Sequence, residues 1–585
     1  MVACGCRTTE STQKNELANA NNGDKALRTM KPLLVALMLV FAPLTVQAAE
    51  QVAPGAGSIL QQIQRANPPA PSSTGTGLII EEAARATLPA SAPFLVNSIQ
   101  LSGNTRFETT TLHALVADAE GKDLTLSEVG ELAHRITAYY HIRGYPLARA
   151  VIPAQTIQMG VLHIEIIEAR YGKITLDNRS RVKDSLLQAT LYPLQGGQEV
   201  GQRQLDHTLL LLSDVPGVAI AATLKPGESV GTSDMLVETT AKAPVAGSVT
   251  LDNYGNRYTG RVRLGGTVNL VDPLHDGDDL SLDGLTSGSG MNYGGLTYQS
   301  LLNGQGTRIG GSYSALHYGL GNSLESLDGY GTAQVESLWI QQPLVRTRNA
   351  NLYGQIQYDH KQLDDYIGAA SIRTDRHLDN WTVSVAGDLR DALLSGGVNT
   401  WSVGWTLGRV EFDDADAQQT DSATVKSQGG FSKWTANFSH LQGLSPASAL
   451  NLTISGQWAN NNLDPAEKMI AGGPYTVRAY DLGVVSGDTG ILGSAEFRHG
   501  LGQVWNGQLQ VVTFIDSERV TVNRSTRAAG PNGATLSGAG VGLNWGTVSG
   551  WHGKVYVATP LGSTPELVGT GKSTQAWVEI GNRFE

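Results

Sequence analysis

At 585 residues the chain exceeds one ordinary domain and is expected to divide into roughly two to four units. Its 69 Gly, 18 Tyr and 10 Trp beside only 16% charged residues exclude a disordered chain, and the lack of repeated apolar runs of about 20 residues excludes a helical membrane protein. A formal net charge of -11 argues against nucleic acid as a partner.

The one long apolar run is a targeting segment. Lys31 supplies the positive start, Leu33 to Leu44 the apolar stretch and Val46-Gln47-Ala48 a small-residue cleavage signal, so residues 30–48 read as a signal peptide. Residues 1–29 are polar and read as a spurious or extended N-terminus. Both cysteines, Cys4 and Cys6, lie there, which leaves the exported chain without disulfides or thiolate metal ligands.

Residues 49–66 contain the first mature element. In Gly57 to Arg65 the residues Ile59, Leu60 and Ile63 share one face of a short helix. Such a helix is too short to be stable alone, so it needs a surface to dock on. Residues 67–92 read as a linker, with NPPAPSSTGTG from Asn67 to Gly77 flexible or extended.

Residues 93–171 show a strand, two helical stretches (Glu108 to Glu120 and Leu126 to Gly144) and two strands. Residues 172–243 repeat that order. Two consecutive β-α-α-β-β units of about 75 residues are soluble α+β domains. Gly227-Glu228-Ser229-Val230-Gly231 matches the nucleophile elbow of serine hydrolases, but it joins two strands rather than a strand and a helix, so it reads as a hairpin turn. The 12 His residues show no paired metal-ligand spacing, and no nucleotide motif is present. No cofactor, metal or catalytic site is therefore expected.

From residue 244 to 585 strict alternation takes over. In Arg261 to Leu270 the even positions are apolar or Gly and the odd ones polar or Gly, and the same dyad recurs in 351–359, 381–388, 451–458, 508–516 and 575–584. Segments of about 10 residues bounded by turn residues are the pattern of a transmembrane antiparallel β-barrel, here of about 16 strands. A barrel that wide leaves a lumen rather than a packed core.

A leader, a tethered helix, two small periplasmic repeats and a C-terminal barrel together resemble the transporters of two-partner secretion, of the haemolysin and haemagglutinin secretion-activation type, whose repeats are called POTRA domains. Arg143-Gly144-Tyr145-Pro146 and Val151-Ile152-Pro153-Ala154-Gln155 resemble the family's first POTRA domain. Leu251 to Gly255 with Thr259-Gly260-Arg261 resembles its first barrel strand, and Gly277-Asp278 its first extracellular turn. Val477-Arg478-Ala479-Tyr480, preceded by Gly472-Gly473-Pro474, resembles the motif at the tip of the sixth extracellular loop, where the loop folds back into the lumen. Phe514-Ile515-Asp516 resembles a second superfamily element on a late strand.

The resemblance implies an outer-membrane pore that takes an unfolded exoprotein from the periplasm. That exoprotein carries an N-terminal secretion domain and is of the adhesin, haemagglutinin or haemolysin class. It further implies that the helix bearing Ile59, Leu60 and Ile63 plugs the lumen, and that membrane lipid and the barrel-assembly machinery are partners. Strand parity puts Val512, Phe514 and Asp516 on the lumen face, within reach of Arg478, with Tyr480 and Phe514 flanking the pair. Ala479 stands where the family has Gly, so a positive φ there carries about 1 to 2 kcal/mol of strain. Tyr145, Pro146 and Pro153 are cargo-contact candidates, with a structural turn as the plain alternative for the first two. Two other functions fit the barrel: an outer-membrane protein insertion factor, which usually carries more POTRA repeats, and a passive porin, which needs none.

Overall fold

The structure is a computed structural model that describes residues 53–63, 72–80, 90–526, 530–569 and 574–585. The signal peptide, residues 1–29 with both cysteines, and much of the linker lie outside the described residues. The first described element is helix α1 (Ala56–Ile63). A short strand, β1 (Leu78–Ile80), follows it.

The first α+β unit contains β2 (Phe94–Val96), β3 (Ser98–Ser102), α2 (Thr109–His113), β4 (Lys122–Leu124), α3 (Leu126–Ile142), β5 (Arg149–Val151) and β6 (Val161–Ile167). Helix α3 begins at a capping box, in which Thr125 accepts from the Glu128 amide and Glu128 answers the Thr125 amide. Val129, Leu132, Ala133, Ile136 and Tyr140 recur at helical spacing, so one face is buried. Helix α2 is shorter than the expected 108–120 stretch, and the rest is a 3-10 turn at Ala117–Ala119. The β-branched run Thr109-Thr110-Thr111 disfavours a longer helix. The sheet has the order β3-β6-β5, with β2 and β4 paired beside it.

The second unit contains β7 (Arg170–Arg179), α4 (Asp184–Leu191), α5 (Gln202–Ser213), β8 (Val218–Pro226) and β9 (Thr232–Ala241). Strand β7 runs through the expected junction at 171/172, so the two units are joined without a linker. The hydrolase-like Gly227 to Gly231 forms the β8–β9 hairpin turn. The sheet order is β1-β8-β9-β7, and Leu78 to Ile80 pair in parallel with Ala222 to Leu224. Part of the expected linker is therefore an edge strand, because three apolar residues, Leu78-Ile79-Ile80, follow its Gly-rich part. The β8 edge of the second sheet is thereby filled by the chain itself.

The barrel begins with β10 (Val245–Asp252), β11 (Arg263–Val271), β12 (Asp278–Thr286), β13 (Met291–Leu301), β14 (Arg308–Gly319) and β15 (Gly329–Arg346). It continues with β16 (Ala350–Ile367), β17 (Ile372–Asp391), β18 (Gly397–Phe412), β19 (Gly429–Ser445) and β20 (Ser448–Ala459). After loop 6, which holds β21 (Met469–Ala471) and β22 (Val485–Gly487), come β23 (Thr489–Val504), β24 (Gly507–Thr521), β25 (Gly533–Thr547), β26 (Trp551–Pro560) and β27 (Gln575–Phe584). Sixteen of these close into one antiparallel barrel, with β10 paired to β27 from Gly247↔Phe584 to Asp252↔Glu579.

Alternation decides which side faces lipid. Val262, Leu264, Leu282, Leu296, Ile356, Val383, Leu407 and Ile454 are exposed on the outer face, where hydrocarbon takes the place of water. Trp405 and Trp434 stack at 5.9 Å and Tyr358 lies 5.1 Å from Trp381. Together they form part of an aromatic belt. Strand β17 has 20 residues, about twice what a crossing needs, so it projects past the membrane at the far end from the α+β units.

The second unit docks on the near rim. Arg346 grips Asp214 through Nε at 2.6 Å and Nη2 at 2.8 Å, and Arg348 Nη2 donates to Asp206 at 2.6 Å. Lys183 pairs with Asp276 at 2.5 Å. The Gly277-Asp278 turn therefore faces the α+β units and is not the first extracellular turn. Its Asp and Gly suit any tight strand connection, and only strand count from Val245 assigns the side. The first extracellular connection is 253–262.

Candidate functional site in the barrel lumen

The lumen is filled at its far half by α1 and loop 6 (460–488). Gly472 and Gly473 have φ of +85° and +122°, which only glycine adopts freely, and they turn the loop back inward. Val477 is fully buried, and Ala479 and Tyr480 pack beside it with Ala471, Val485, Val512 and Phe514. Ala479 is not among the residues with positive φ. The strain expected there is absent, because the reversal is carried by Gly472, Gly473 and Gly483.

Arg478 and Asp516 meet as their motifs imply. The guanidinium donates from Nε to Asp516 Oδ2 at 2.8 Å and from Nη2 to Oδ1 at 2.7 Å, and the Arg478 amide donates to Oδ2 at 3.2 Å. Asp516 is fully buried and Arg478 only 5% exposed, so the bidentate bond is shielded from water. Nη1 also donates to Glu496 Oε1 at 2.5 Å. Ser494 Oγ donates to Asp516 Oδ1 at 2.7 Å and Trp577 Nε1 to the Arg478 carbonyl at 2.8 Å.

Phe514 lies under the guanidinium, 3.4 Å from ring centre to Cζ, and Tyr556 is the second ring at 5.6 Å. Tyr480, expected to flank the pair, packs in the apolar cluster that joins loop 6 to the barrel wall and includes Phe514. Glu496, Ser494, Tyr556 and Trp577 are the members that sequence reasoning misses. Strand parity marks Glu496 and Ser494 as lumen-facing, but nothing local marks them as partners of Arg478.

Helix α1 packs in the same lumen. Ile59 and Leu60 are buried against Leu316, Tyr318, Leu363, Leu378 and Ala466, with Ile63 partly buried at the edge. Gln61 donates its side-chain amide to the Ala466 carbonyl, and Asn256 donates to Gln62 at 3.1 Å. A cavity of about 420 Å³ remains beside the helix, lined by polar groups that include Gln61, Gln62, Arg478, Glu496 and Arg498.

The cargo-contact candidates lie elsewhere, in the first α+β unit. Tyr145 packs edge-on to Phe107 at 5.8 Å and to Tyr140 at 6.1 Å. Its amide donates to the Tyr140 carbonyl at 3.1 Å, closing the turn after α3. Pro146 and Pro153 are half-buried and bracket strand β5.

Residues 231–545 match the family Haemolysin secretion/activation protein ShlB/FhaC/HecB, and residues 94–169 match the POTRA domain of ShlB type. The chain is 26% identical to the Heme/hemopexin transporter protein HuxB of Haemophilus influenzae over 542 residues, 91% of this chain and 95% of that one. It is 26% identical to the Outer membrane transporter CdiB of Dickeya dadantii, covering 72% and 75% of the two chains. Among solved structures, CdiB from Escherichia coli superposes with a TM-score of 0.66 at 22% identity, over 86% of this chain and 92% of that one. BamA from Haemophilus ducreyi superposes at 0.51 and 13% identity, over 84% and 100%.

Proposed function

Because the chain belongs to the haemolysin secretion/activation family, whose members are outer-membrane transporters of two-partner secretion, we propose that its lumen holds a resting seal that a cargo exoprotein must displace. The chain is an outer-membrane translocation pore with its POTRA region in the periplasm. The observation that carries the proposed seal is the joint burial of Ile59, Leu60 and Arg478 inside one closed barrel.

The cargo of this reading is a large exoprotein with an N-terminal secretion domain, of the adhesin, haemagglutinin or haemolysin class. It arrives unfolded and offers unpaired strand edges. Edge strand β5, bracketed by Pro146 and Pro153 and lying beside α3, is the acceptor by strand addition. The β8 edge already carries β1, so it accepts a strand only if the tether leaves. Export draws on no nucleotide; folding of the cargo outside supplies the drive. Outer-membrane lipid wets the exposed apolar face, and the barrel-assembly machinery acts on β27, whose last residue is the aromatic Phe584.

The test is secretion of the exoprotein encoded beside this chain. With the transporter deleted the exoprotein is expected to stay cell-associated, and restoring the chain is expected to release it. Unchanged release without the transporter would overturn the reading.

A further inference from the structure

Loop 6 is fastened at a second place, earlier in the same loop than Arg478. A 3-10 turn at Pro465–Glu467 sits directly beneath α1. Glu467 is buried and accepts from Lys361 Nζ at 2.7 Å, from Lys433 Nζ at 2.7 Å and from Asn380 Nδ2 at 2.8 Å. Asp464 caps the turn by accepting from the Ala466 amide at 2.8 Å.

The wall side of the same region holds Arg376 on β17, 4% exposed. Its Nε donates to Asp464 Oδ2 at 2.5 Å and its Nη1 to Asp365 Oδ2 at 2.9 Å. Asp365, on β16, accepts through Oδ1 from the Ala56 amide at 2.7 Å and from the Tyr318 hydroxyl at 2.6 Å. One guanidinium therefore stands between the carboxylate that receives the first turn of α1 and the carboxylate that caps the loop 6 turn under it. The helix also meets that turn directly: a side chain at Gly57 would lie 2.7 Å from the Ala466 amide nitrogen.

We infer that Arg376 is a positioning residue that couples the plug helix to loop 6, so that neither seal leaves the lumen without unseating the other. Lys361, Arg376 and Lys433 balance Asp365, Asp464 and Glu467, charge for charge, in a cluster whose side chains are buried or largely so. When loop 6 withdraws, Asp464 and Glu467 go with it, and Arg376 is left with Asp365 alone. When α1 withdraws, Asp365 loses the Ala56 amide, and the Ala466 turn loses the helix that covers it. Each departure leaves buried charge less well compensated, and buried charge short of a partner is costly. The two motions are thereby favoured together. This inference rests on the plug reading of α1, and it extends that reading to a residue that touches neither lock motif.

The experiment exploits the lack of cysteine after residue 6. Spin labels on Ser58→Cys in α1 and Val548→Cys on a periplasmic turn report, by pulsed dipolar distance, whether the helix is inside the barrel. In the otherwise unmodified chain the distance is expected to match the lumen position; a helix found outside at rest would sink the plug reading itself.

Arg376→Gln is then expected to raise the withdrawn population about tenfold or more. Asp464→Asn, which keeps the cap acceptor and removes only a loop 6 charge, is expected to raise it as well. Combining Arg376→Gln with Asp464→Asn removes one cation and one acid from the balanced set and is expected to return the population toward the starting value. Heat-modifiable migration on gels confirms barrel assembly in each variant, and if Arg376→Gln fails to assemble the Asp464→Asn chain decides alone. An unmoved helix in Asp464→Asn, or a double variant more withdrawn than Arg376→Gln, would overturn the coupling.

Discussion

The methyl group of Ala479 rests against the bare α-carbon of Gly538, so closely that a side chain placed at 538 would meet it at 2.4 Å. Gly538 pairs across the sheet with Asp516, the carboxylate that holds Arg478. Gly538→Val is therefore expected to lift the loop 6 tip from its seat while strand pairing persists, and to raise channel opening in planar bilayers. Gly538→Ala should leak less than Gly538→Val, and Ala479→Gly added to it should restore the seal. A leak that persists in that pair would show that the contact does not position the tip.

Arg478 faces two carboxylates, Asp516 and Glu496, whereas Asp516 faces one cation. Removing one partner of a fully buried pair typically costs about 3 to 5 kcal/mol. Arg478→Ala strands the fully buried Asp516, while Glu496 keeps Arg498 at 2.6 Å; Asp516→Ala leaves the Arg478 cation paired with Glu496, so Arg478→Ala should impair secretion more. Their effects should be non-additive when combined. Fully additive losses, or normal secretion from both single variants, would show that the two residues do not act as one lock.

The first periplasmic unit should be acid-sensitive through Glu168. Its carboxylate accepts from the Thr105 and Arg106 amides at 2.9 Å each and from the Tyr140 hydroxyl at 2.8 Å. Burial pushes its pKa up, but a further hydrogen bond from the Thr105 hydroxyl, together with these three, outweighs burial and holds it below the ordinary 4.5. Burial, and then the bond to Glu168, pushes the Tyr140 hydroxyl up, so it remains a donor. A depressed folded pKa gives stability that is present above the unfolded value and lost as pH falls through the folded one. Hydrogen exchange across 94–169, corrected for intrinsic rate, should accelerate on acidification below pH 4.5. Glu168→Gln should flatten that dependence; an unchanged profile would assign the acid response to other groups.

Much of this molecule is legible in its sequence because two of its signals are periodic. Alternation such as Val262, Leu264, Gly266 and Val268 can satisfy lipid on one side and water on the other only in a closed sheet. The 3.6-residue spacing in α3 likewise needs a core to face. Arg478 and Asp516 are legible through short motifs, and parity alone aims Asp516 inward. What stays hidden is pairing across the lumen. A polar residue on the inner face of a wide barrel is the default, so nothing in the sequence marks Glu496, Lys361 or Arg376 as partners of residues about 20 to 110 positions away. The side of the membrane is hidden too, since Gly277-Asp278 turns a strand equally well at either end. Strand β1 escapes notice because three residues are too few for a period.

A pore that rests sealed by α1 and loop 6 is tested most directly by single-channel conductance of the chain with and without residues 49–65. Loss of Ile59, Leu60 and Ile63 from the lumen removes the apolar contacts to Leu316, Leu363, Leu378 and Ala466 and uncovers the Asp365 carboxylate that receives the Ala56 amide. The deletion is expected to raise the resting conductance while the barrel still assembles and inserts. Equal conductance of the two chains would contradict the seal.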